Sequence, residues 1–269
     1  MSWPEYLSGV NPIEDSLSTH RVRLSDVRID ESSGLACSTM HPHLIYTAND
    51  EDGPVFAIDS RTGETVGTCR VADRKLRDPE ALSMGPDGVL WIADIGINRG
   101  KKKAFALYAL PEPGPGDHGP LPATKYRVAY PGEARPDAEA FLVHPGSGDG
   151  FIITRETPGR LYGFRAGQLD PERKNPLELV AEGLPAEVTD ACFTVDGQFV
   201  VARQFGRRTS VIVLDAASWA VVGQFEVPRL QQPESIAADP DGKHVWIGSE
   251  GRNSPLIRVA LPDRFATGS

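Results

Sequence analysis

The sequence predicts an all-β fold, a five-bladed β-propeller, from a repeated phrase, the length of the repeat and the turns within it. Five short segments are variants of one pattern that begins with an acidic or hydroxyl residue, and a second apolar run follows each of them after a turn. The five segments are residues 33–36, 80–83, 139–142, 189–192 and 234–237. Their starts lie 47, 59, 50 and 45 residues apart, and units of that length built from several short strands are typical of propellers.

Composition supports one domain of many short strands and disfavours several classes of partner. The chain has 269 residues with 27 glycines and 23 prolines, which suits strands joined by turns. The repeat runs nearly end to end, so we predict a single domain over residues 1–269. The net charge of −9 disfavours a nucleic acid as partner. No segment is apolar enough to span a membrane, and residues 1–5 do not resemble a secretory signal, so we expect a cytoplasmic protein without a membrane partner.

The first three units each divide into four predicted strands. In the first unit they cover residues 33–38, 44–48, 55–59 and 65–71, with a hairpin signal at 59–63. In the second they cover 80–84, 89–94, 105–110 and 125–130, and we expect the Pro- and Gly-rich segment 111–122 to be a loop without strand character. In the third they cover 139–144, 151–155, 161–165 and 177–182.

The last two units predict how the ring of blades closes. The fourth unit offers strands at 189–195, 199–203, 210–215 and 221–227, whereas the fifth offers only 234–239, 244–248 and 256–261. Residues 20–29 largely alternate between polar and apolar and belong to no unit, so we predict that they form the outer strand of the last blade and close the ring. Residues 1–19 would then be an extension over the surface. The main alternative is a six-bladed ring, but residues 110–131 contain no sixth phrase.

The starts of the phrases predict a ring of polar side chains around the central channel. The first strand of every propeller blade lines the channel, so equivalent positions meet around the axis. Three phrases begin eight residues before the glycine of an Asp-Gly turn, and the phrase pattern adds the other two. The predicted ring consists of Ser33, Glu80, Glu139, Thr189 and Glu234. Asp190 replaces Thr189 in this ring if the fourth turn is one residue shorter.

Three of these side chains are carboxylates, and their convergence points to a cation. Carboxylates confined in one site repel one another, so either some are protonated or a cation lies among them. An oxygen-only set without histidine or cysteine suits Ca²⁺ better than Zn²⁺. We therefore predict that the ring is a metal site and that calcium is the cofactor. The alternative is that these residues cap the channel mouth and bind only water.

The order Ser, Glu, Glu, hydroxyl, Glu in five blade-starting phrases resembles the calcium-activated nucleotidases, or soluble apyrases. The resemblance implies a five-bladed propeller with Ca²⁺ at the centre of its channel. It also implies that the five ring residues are the metal set, with Thr189 in place of a serine. A broader similarity, carried by the Trp-Ile-Ala-Asp-Ile-Gly stretch at residues 91–96, is to bacterial propeller proteins that are often described as phytase-like or esterase-like.

The ends of the second strands supply candidate catalytic residues. Because each second strand runs antiparallel to the first, its end lies at the same mouth of the channel. Asp94, Asp50 or Glu156 would orient or deprotonate an attacking water, and Arg155 and Arg203 would hold phosphate or carboxylate oxygens. The alternative is that the two arginines pair with neighbouring carboxylates and brace the loops. The sequence contains neither a Gly-x-Ser-x-Gly elbow nor a P-loop, which disfavours those two mechanisms.

Together these features predict a Ca²⁺-dependent hydrolase that acts on a small anionic molecule, such as a phosphoester, a phosphoanhydride or a lactone. Two other functions stay open. One is a non-catalytic binding or scaffold propeller whose axial ion is structural. The other is a tailoring enzyme, such as a lyase or cyclase, that uses the same pocket.

Overall fold

Short strands dominate the part of the chain that the computed structural model describes, which is residues 18–50, 53–72, 75–97, 105–132, 134–207 and 209–267. The strands form five small sheets, one for each phrase of the sequence. This arrangement confirms the predicted five-bladed β-propeller. In the same ranges, no helix has the length and apolar character needed to cross a membrane.

Four antiparallel strands form the body of each blade. Strand β1 (Ser18–Arg23) belongs to the last blade. Blade 1 contains β2 (Ser32–Cys37), β3 (Leu44–Asn49), β4 (Val55–Asp59) and β5 (Thr65–Val71). Blade 2 contains β6 (Pro79–Gly85), β7 (Val89–Asp94), β8 (Phe105–Pro111) and, after β9 (His118–Leu121), β10 (Thr124–Ala129). Blade 3 contains β11 (Ala138–Val143), β12 (Gly150–Thr154), β13 (Gly159–Phe164) and, after β14 (Lys174–Pro176), β15 (Glu178–Leu184). Blade 4 contains β16 (Val188–Phe193), β17 (Phe199–Gln204), β18 (Ser210–Asp215) and β19 (Val221–Glu226). Blade 5 contains β20 (Pro233–Ala238), β21 (His244–Ser249), β22 (Pro255–Ala260) and β1.

The first strand of each blade lies at the axis of the ring. The inner strands β2, β6, β11, β16 and β20 contact one another in that order, and β20 contacts β2. Inner strand β11 is buried at every position, whereas outer strand β19 is largely exposed. An inner strand is covered on both faces by neighbouring blades, so it requires apolar residues without strict alternation. This is why the repeated phrase is mostly apolar.

The apolar core is divided among the junctions between blades. Five clusters of buried side chains fill the five junctions in the described part of the chain. In one of them Leu107 of blade 2 packs with Phe141 and Ile152 of blade 3. Burial of such side chains stabilises the fold by about 2 kcal/mol each, so each blade depends on its two neighbours.

Closure of the ring by an N-terminal strand is confirmed. Strand β1 pairs antiparallel with β22, with Val22 opposite Leu256. The strand covers Ser18–Arg23, which is shorter than the predicted segment 20–29. The chain leaves the sheet because Asp26 forms a turn, in which its carboxylate accepts the N–H of Arg28 at 3.0 Å. Apart from its last two residues, the predicted extension over residues 1–19 lies outside the described residues.

Two further strands extend the blades beyond the predicted pattern. The prediction that residues 111–122 contain no strand was wrong, because β9 pairs parallel with β5 of blade 1. In the same way β14 pairs parallel with β10 of blade 2. Strand β9 has the sequence HGPL, and proline at a sheet edge is tolerated because its missing N–H faces away from the partner strand. Blades 1 and 2 therefore have five strands each.

Candidate functional site

A β-bulge marks the start of every inner strand. The pairing between first and second strands skips one residue in each blade. The skipped residues are Gly34, Glu80, Glu139, Thr189 and Glu234. A bulge leaves its extra residue outside the ladder and re-aims its side chain. Four of the five predicted ring residues therefore occupy one repeated position, whereas Ser33 pairs with Ala48 and directly precedes its bulge.

A second polar layer lies two residues before each ring position. It consists of Glu31, Asp78, Asp137, Glu187 and Gln232. The carbonyl of each accepts a backbone N–H from beyond the end of the second strand, at distances of 2.8–3.2 Å. The donors are Asp50, Gly96, Arg155, Phe205 and Glu250. This repeated hydrogen bond holds the second polar layer and the donor residues around one rim. Extending the alignment of the phrases by two residues would have revealed the layer.

The charge of Glu139 acts on the two other glutamates of the ring. Glu80 and Glu139 are buried and Glu234 is partly buried. Burial raises the pKa of Glu80 to about 10 and that of Glu234 to about 8, and the charge of Glu139 is the next cause in both. Burial also raises the pKa of Glu139 to about 7, although Arg155 opposes the rise. The acidic ring is thus an unfavourable place for uncompensated negative charge.

Glu139 is the member of the ring that influences both of the others. Its Oε1 accepts a hydrogen bond from Arg155 Nη1, while its Oε2 is buried and has no hydrogen-bond partner in the described part of the chain. No three His, Cys, Asp or Glu side chains of the described residues are grouped so that they could hold a metal ion. The donor types suit a hard cation, but here a guanidinium contacts Glu139.

Thr189 and Asp190 join blade 4 to its neighbours. Thr189 Oγ1 donates to the carbonyl of Pro233 at 2.8 Å. Asp190 is fully buried, and its oxygens accept the N–H of Ala191 at 2.9 Å and that of Ile236 at 2.8 Å. The backbone of Leu35 in blade 1 is a further partner. Thr189, not Asp190, occupies the bulge, and Asp190 connects three inner strands.

The Trp-Ile-Ala-Asp-Ile-Gly stretch shapes the blade 2 side of the ring. Asp94 Oδ1 accepts the N–H of Asp78 at 3.0 Å, and its Oδ2 accepts that of Arg77 at 3.3 Å. Gly96 lies directly against the carboxyl groups of Glu80 and Asp78, and a Cβ at this position would clash with Glu80 Oε1. Asp94 therefore braces the loop before β6, and Gly96 leaves room for Glu80.

Asp50 has the properties of a group that exchanges protons near neutral pH. It is partly buried on the rim, and its Oδ1 has no hydrogen-bond partner among the described residues. Burial, followed by interaction with Glu31, raises the pKa of Asp50 to about 7. A carboxyl group with a pKa near the working pH is suited to general acid–base catalysis.

The two predicted arginines lie in different environments. Arg203 is fully buried, and its Nη1 donates to the carbonyl of Ser210 at 3.1 Å, whereas Nε and Nη2 have no partner in the described part of the chain. Burial lowers the pKa of Arg203 to about 10, and the charge of Glu234 opposes this. Arg155 is one-quarter exposed and is paired with Glu139 and Glu187.

The opposite end of the channel has a different lining. A cavity of about 190 Å³ opens there, lined largely by apolar side chains that include Leu82, Met84, Val143 and Phe193. Cys192 also lines it, and burial raises the pKa of this thiol, which keeps it protonated. A second cavity of about 600 Å³ beside it is lined in part by polar and charged side chains, among them Ser38, Asp239, Asp241 and Arg258.

Comparisons with solved structures show the fold. A gluconolactonase of Xanthomonas campestris is 15% identical over 86% of this chain and 72% of its own, with a TM-score of 0.49. A luciferin-regenerating enzyme is 12% identical over 87% of this chain and 80% of its own, with a TM-score of 0.51. The hydrazine synthase of Kuenenia stuttgartiensis is 12% identical over 86% and 71%, with a TM-score of 0.46. None of these three is a nucleotidase, so they lend no specific support to that family. No protein-family model matches the chain, and no curated protein matches it in sequence.

Proposed function

We propose that this chain is a hydrolase of a small anionic substrate. The substrate would bind at the acidic mouth of the channel together with a divalent cation, for which Ca²⁺ is the first candidate. Glu139 carries the proposal, because it is buried, its Oε2 has no partner among the described residues, and its charge raises the pKa of Glu80 and Glu234. Buried charges of one sign are normally paired or coordinate a metal ion. A cation among these carboxyl groups would relieve their repulsion.

The five residues of the predicted ring, which are four bulge residues and Ser33 beside the bulge of blade 1, are the proposed holders of the cation. Glu80, Glu139 and Glu234 supply carboxylate oxygens, and Thr189 and Ser33 supply hydroxyl oxygens, all of which Ca²⁺ accepts. Thr189 donates its proton to Pro233, and a hydroxyl that donates keeps lone pairs for another partner. A bound cation would polarise the oxygen of the substrate and lower the pKa of an attacking water.

The residues around the ring would position the substrate and move a proton. Asp50 would take the proton of the attacking water, since its pKa is about 7 and one of its oxygens has no partner in the described chain. Asp94 accepts two backbone N–H groups. Its part in positioning water would therefore be indirect, because it fixes the loop before β6. Arg203 is fully buried, so it would stabilise the negative charge of a phosphate or carboxylate through its own positive charge and not by direct contact. These roles suit phosphoesters, phosphoanhydrides and lactones that carry a charged group.

A non-catalytic binding propeller is the second candidate. The ion pair between Arg155 and Glu139 favours it, because a positive charge of the chain itself already compensates one carboxylate of the ring. In that case the acidic mouth would bind a ligand without converting it.

Cation binding is the first test. We expect isothermal titration calorimetry after EDTA treatment to detect Ca²⁺ binding to the intact protein, with weaker binding of Mg²⁺ and Mn²⁺. Calcium should also raise the melting temperature, since a ligand that binds only the folded state stabilises it. Glu139→Gln should abolish both effects, while Glu226→Gln, on the exposed outer strand β19, should retain them. Absence of binding by all three cations would refute a cation-dependent mechanism.

Catalysis needs a separate test. We expect turnover of at least one substrate in a panel of p-nitrophenyl phosphate, nucleoside diphosphates and charged lactones with Ca²⁺ present. Asp50→Asn should then lower kcat about 100-fold, the usual effect of losing a general base. Asp59→Asn, in a turn of blade 1 where it pairs with Arg61, is the matched control. Cation binding without turnover of any substrate would favour the binding propeller.

A further inference from the structure

Three rim residues of blades 3 and 4 form a connected group, which we call the rim triad: Arg155, Glu187 and Phe205. The N–H of Glu187 donates to the carbonyl of Arg155 at 3.1 Å, and the N–H of Phe205 donates to the carbonyl of Glu187 at 2.8 Å. Glu187 has a φ of +57°, a conformation that a non-glycine residue keeps only where its surroundings hold it. The triad is therefore a fixed part of the mouth.

The side chain of Arg155 has two sets of partners. Inward, its Nη1 contacts Glu139 Oε1 in the ring. Outward, its Nε lies 3.4 Å from Glu187 Oε2, and its guanidinium lies 5.0 Å from the centre of the Phe205 ring. Glu187 and Phe205 are both exposed, at 50% of the side chain and 45% of the residue. If Arg155 left Glu139, an ion pair and a cation–π contact at the rim would still stabilise its charge.

The inward partners are the proposed cation ligands. Glu139 and Glu234 both act on Arg155 through their charges, as does Asp137 of the second polar layer. Glu139 Oε2 is buried without a partner among the described residues, although Arg155 contacts Oε1. One guanidinium therefore compensates the ring only in part, and a divalent ion would compensate it more fully.

We infer that Arg155 is an exchangeable counter-ion of the ring, which compensates Glu139 when no metal is bound and moves to Glu187 and Phe205 when a divalent cation takes its place. The inference rests on the proposed function for the identity of the ligand site, but it concerns a competition between two positive charges. Arg155 then sets the affinity of the site: a cation binds only the fraction of molecules in which Glu139 is released.

The test compares divalent-ion affinity in variants of the intact protein. If Arg155 occupies Glu139 in about nine of ten molecules, Arg155→Gln should bind Ca²⁺ about tenfold more tightly than the unaltered protein. The same variant should melt at a lower temperature in EDTA and recover when Ca²⁺ is added, since the ring has lost its counter-ion. Arg165→Gln is the control, because it removes an exposed arginine of the same blade that pairs with Asp149, and it should leave Ca²⁺ affinity unchanged.

A second variant keeps the inference testable if Arg155→Gln does not fold. Glu187→Gln removes the outer ion pair and leaves the ring intact, so Arg155 should stay on Glu139 and Ca²⁺ affinity should fall. Unchanged affinity in this variant would contradict the exchange, as would unchanged or weaker binding in Arg155→Gln.

The outcomes separate this inference from the proposed function. If the unaltered protein does not bind Ca²⁺ but Arg155→Gln does, Arg155 is a permanent counter-ion that can be replaced, and native cation-dependent hydrolysis is wrong. If the unaltered protein binds Ca²⁺ and Arg155→Gln binds it no better, the exchange is wrong and the proposed function survives. If neither binds Ca²⁺, both are wrong.

Discussion

Asp190 and Glu139 are buried acidic residues on neighbouring inner strands, and the fold surrounds them in opposite ways. Asp190 follows its bulge and is bonded to backbone groups of three blades. Glu139 occupies its bulge, with the side chain of Arg155 on one oxygen and no partner on the other in the described chain. An acidic group that the main chain holds on both oxygens stabilises the framework, whereas one held by a side chain on a single oxygen keeps an oxygen for a ligand.

Removing Asp190 should have the largest effect. Asp190→Ala leaves buried N–H groups of Ala191, Ile236 and Leu35 unpaired, and each costs about 1–3 kcal/mol. We expect a loss of about 4 kcal/mol of stability and a melting temperature lower by roughly 10 °C, measured by calorimetry. A loss below about 1 kcal/mol would mean that Asp190 does not hold the inner strands together, and the contrast with Glu139 would fail.

The pH dependence of stability should be set by the ring and its rim. Asp50 and Glu139 have pKa values of about 7, Glu234 about 8 and Glu80 about 10, all above the ordinary values of 3.8 and 4.5. The folded state therefore binds more protons than the unfolded state above pH 4.5, and stability falls as pH rises through these values. In EDTA we expect the melting temperature to drop by about 5 °C between pH 7 and pH 8.

Added Ca²⁺ should change this pH dependence. A cation in the ring would favour the ionised carboxyl groups, so added Ca²⁺ should flatten the fall of the melting temperature with pH. A melting temperature that rises from pH 6 to pH 9 in EDTA would contradict the repulsion described for the ring.

Glu80→Gln should act in the opposite direction to Asp190→Ala. At pH 7 an unfolded glutamate is ionised, whereas Glu80 in the folded protein has a pKa of about 10 and must take up a proton on folding. Glutamine does not bear that cost, so thermal unfolding in EDTA at pH 7 should show a gain of about 3 kcal/mol. Glu226→Gln should leave the melting temperature unchanged, and a destabilised Glu80→Gln would place Glu80 with Asp190 in the framework.

Thr189→Val should have the smallest effect. It removes the hydrogen bond to the carbonyl of Pro233, and such a bond contributes about 1 kcal/mol. Calcium titration of the same variant then tests the role of the hydroxyl. Unchanged affinity would show that Thr189 only joins two blades, and weaker binding would include it in the ring.

The sequence predicted the blades well because each phrase determines a strand, a turn and the next strand, which are neighbours along the chain. A turn glycine, a short apolar run and a polar start recur at one spacing, and these features depend on neighbours along the chain. Strands β9 and β14 escaped prediction because their partners lie in another blade, and the Gly-Pro pair in β9 indicates a loop. Gly34 was also missed at its bulge, since only the pairing register distinguishes it from Ser33.

The sequence predicted that Glu80, Glu139 and Glu234 share one repeated position, but it did not predict their contacts. Repetition alone identified Glu80, Glu139 and Glu234, because equivalent positions of a propeller meet at its axis. No local pattern indicates that Arg155 contacts Glu139 or that Asp190 reaches Leu35 and Ile236. These pairs depend on how neighbouring blades are oriented, which the sequence of a single blade does not specify.

The pairing of β1 with β22 has a mechanical consequence. Ser18 lies opposite Val259, and Arg23 lies opposite Pro255, so the chain enters β1 and leaves β22 at the same end of this antiparallel pair. Tension applied before β1 and after β22 would load the ladder one hydrogen bond at a time, as in opening a zipper. All the hydrogen bonds between β1 and β22 must break together for the ring to open by thermal unfolding, whereas a force applied at this end breaks them one after another.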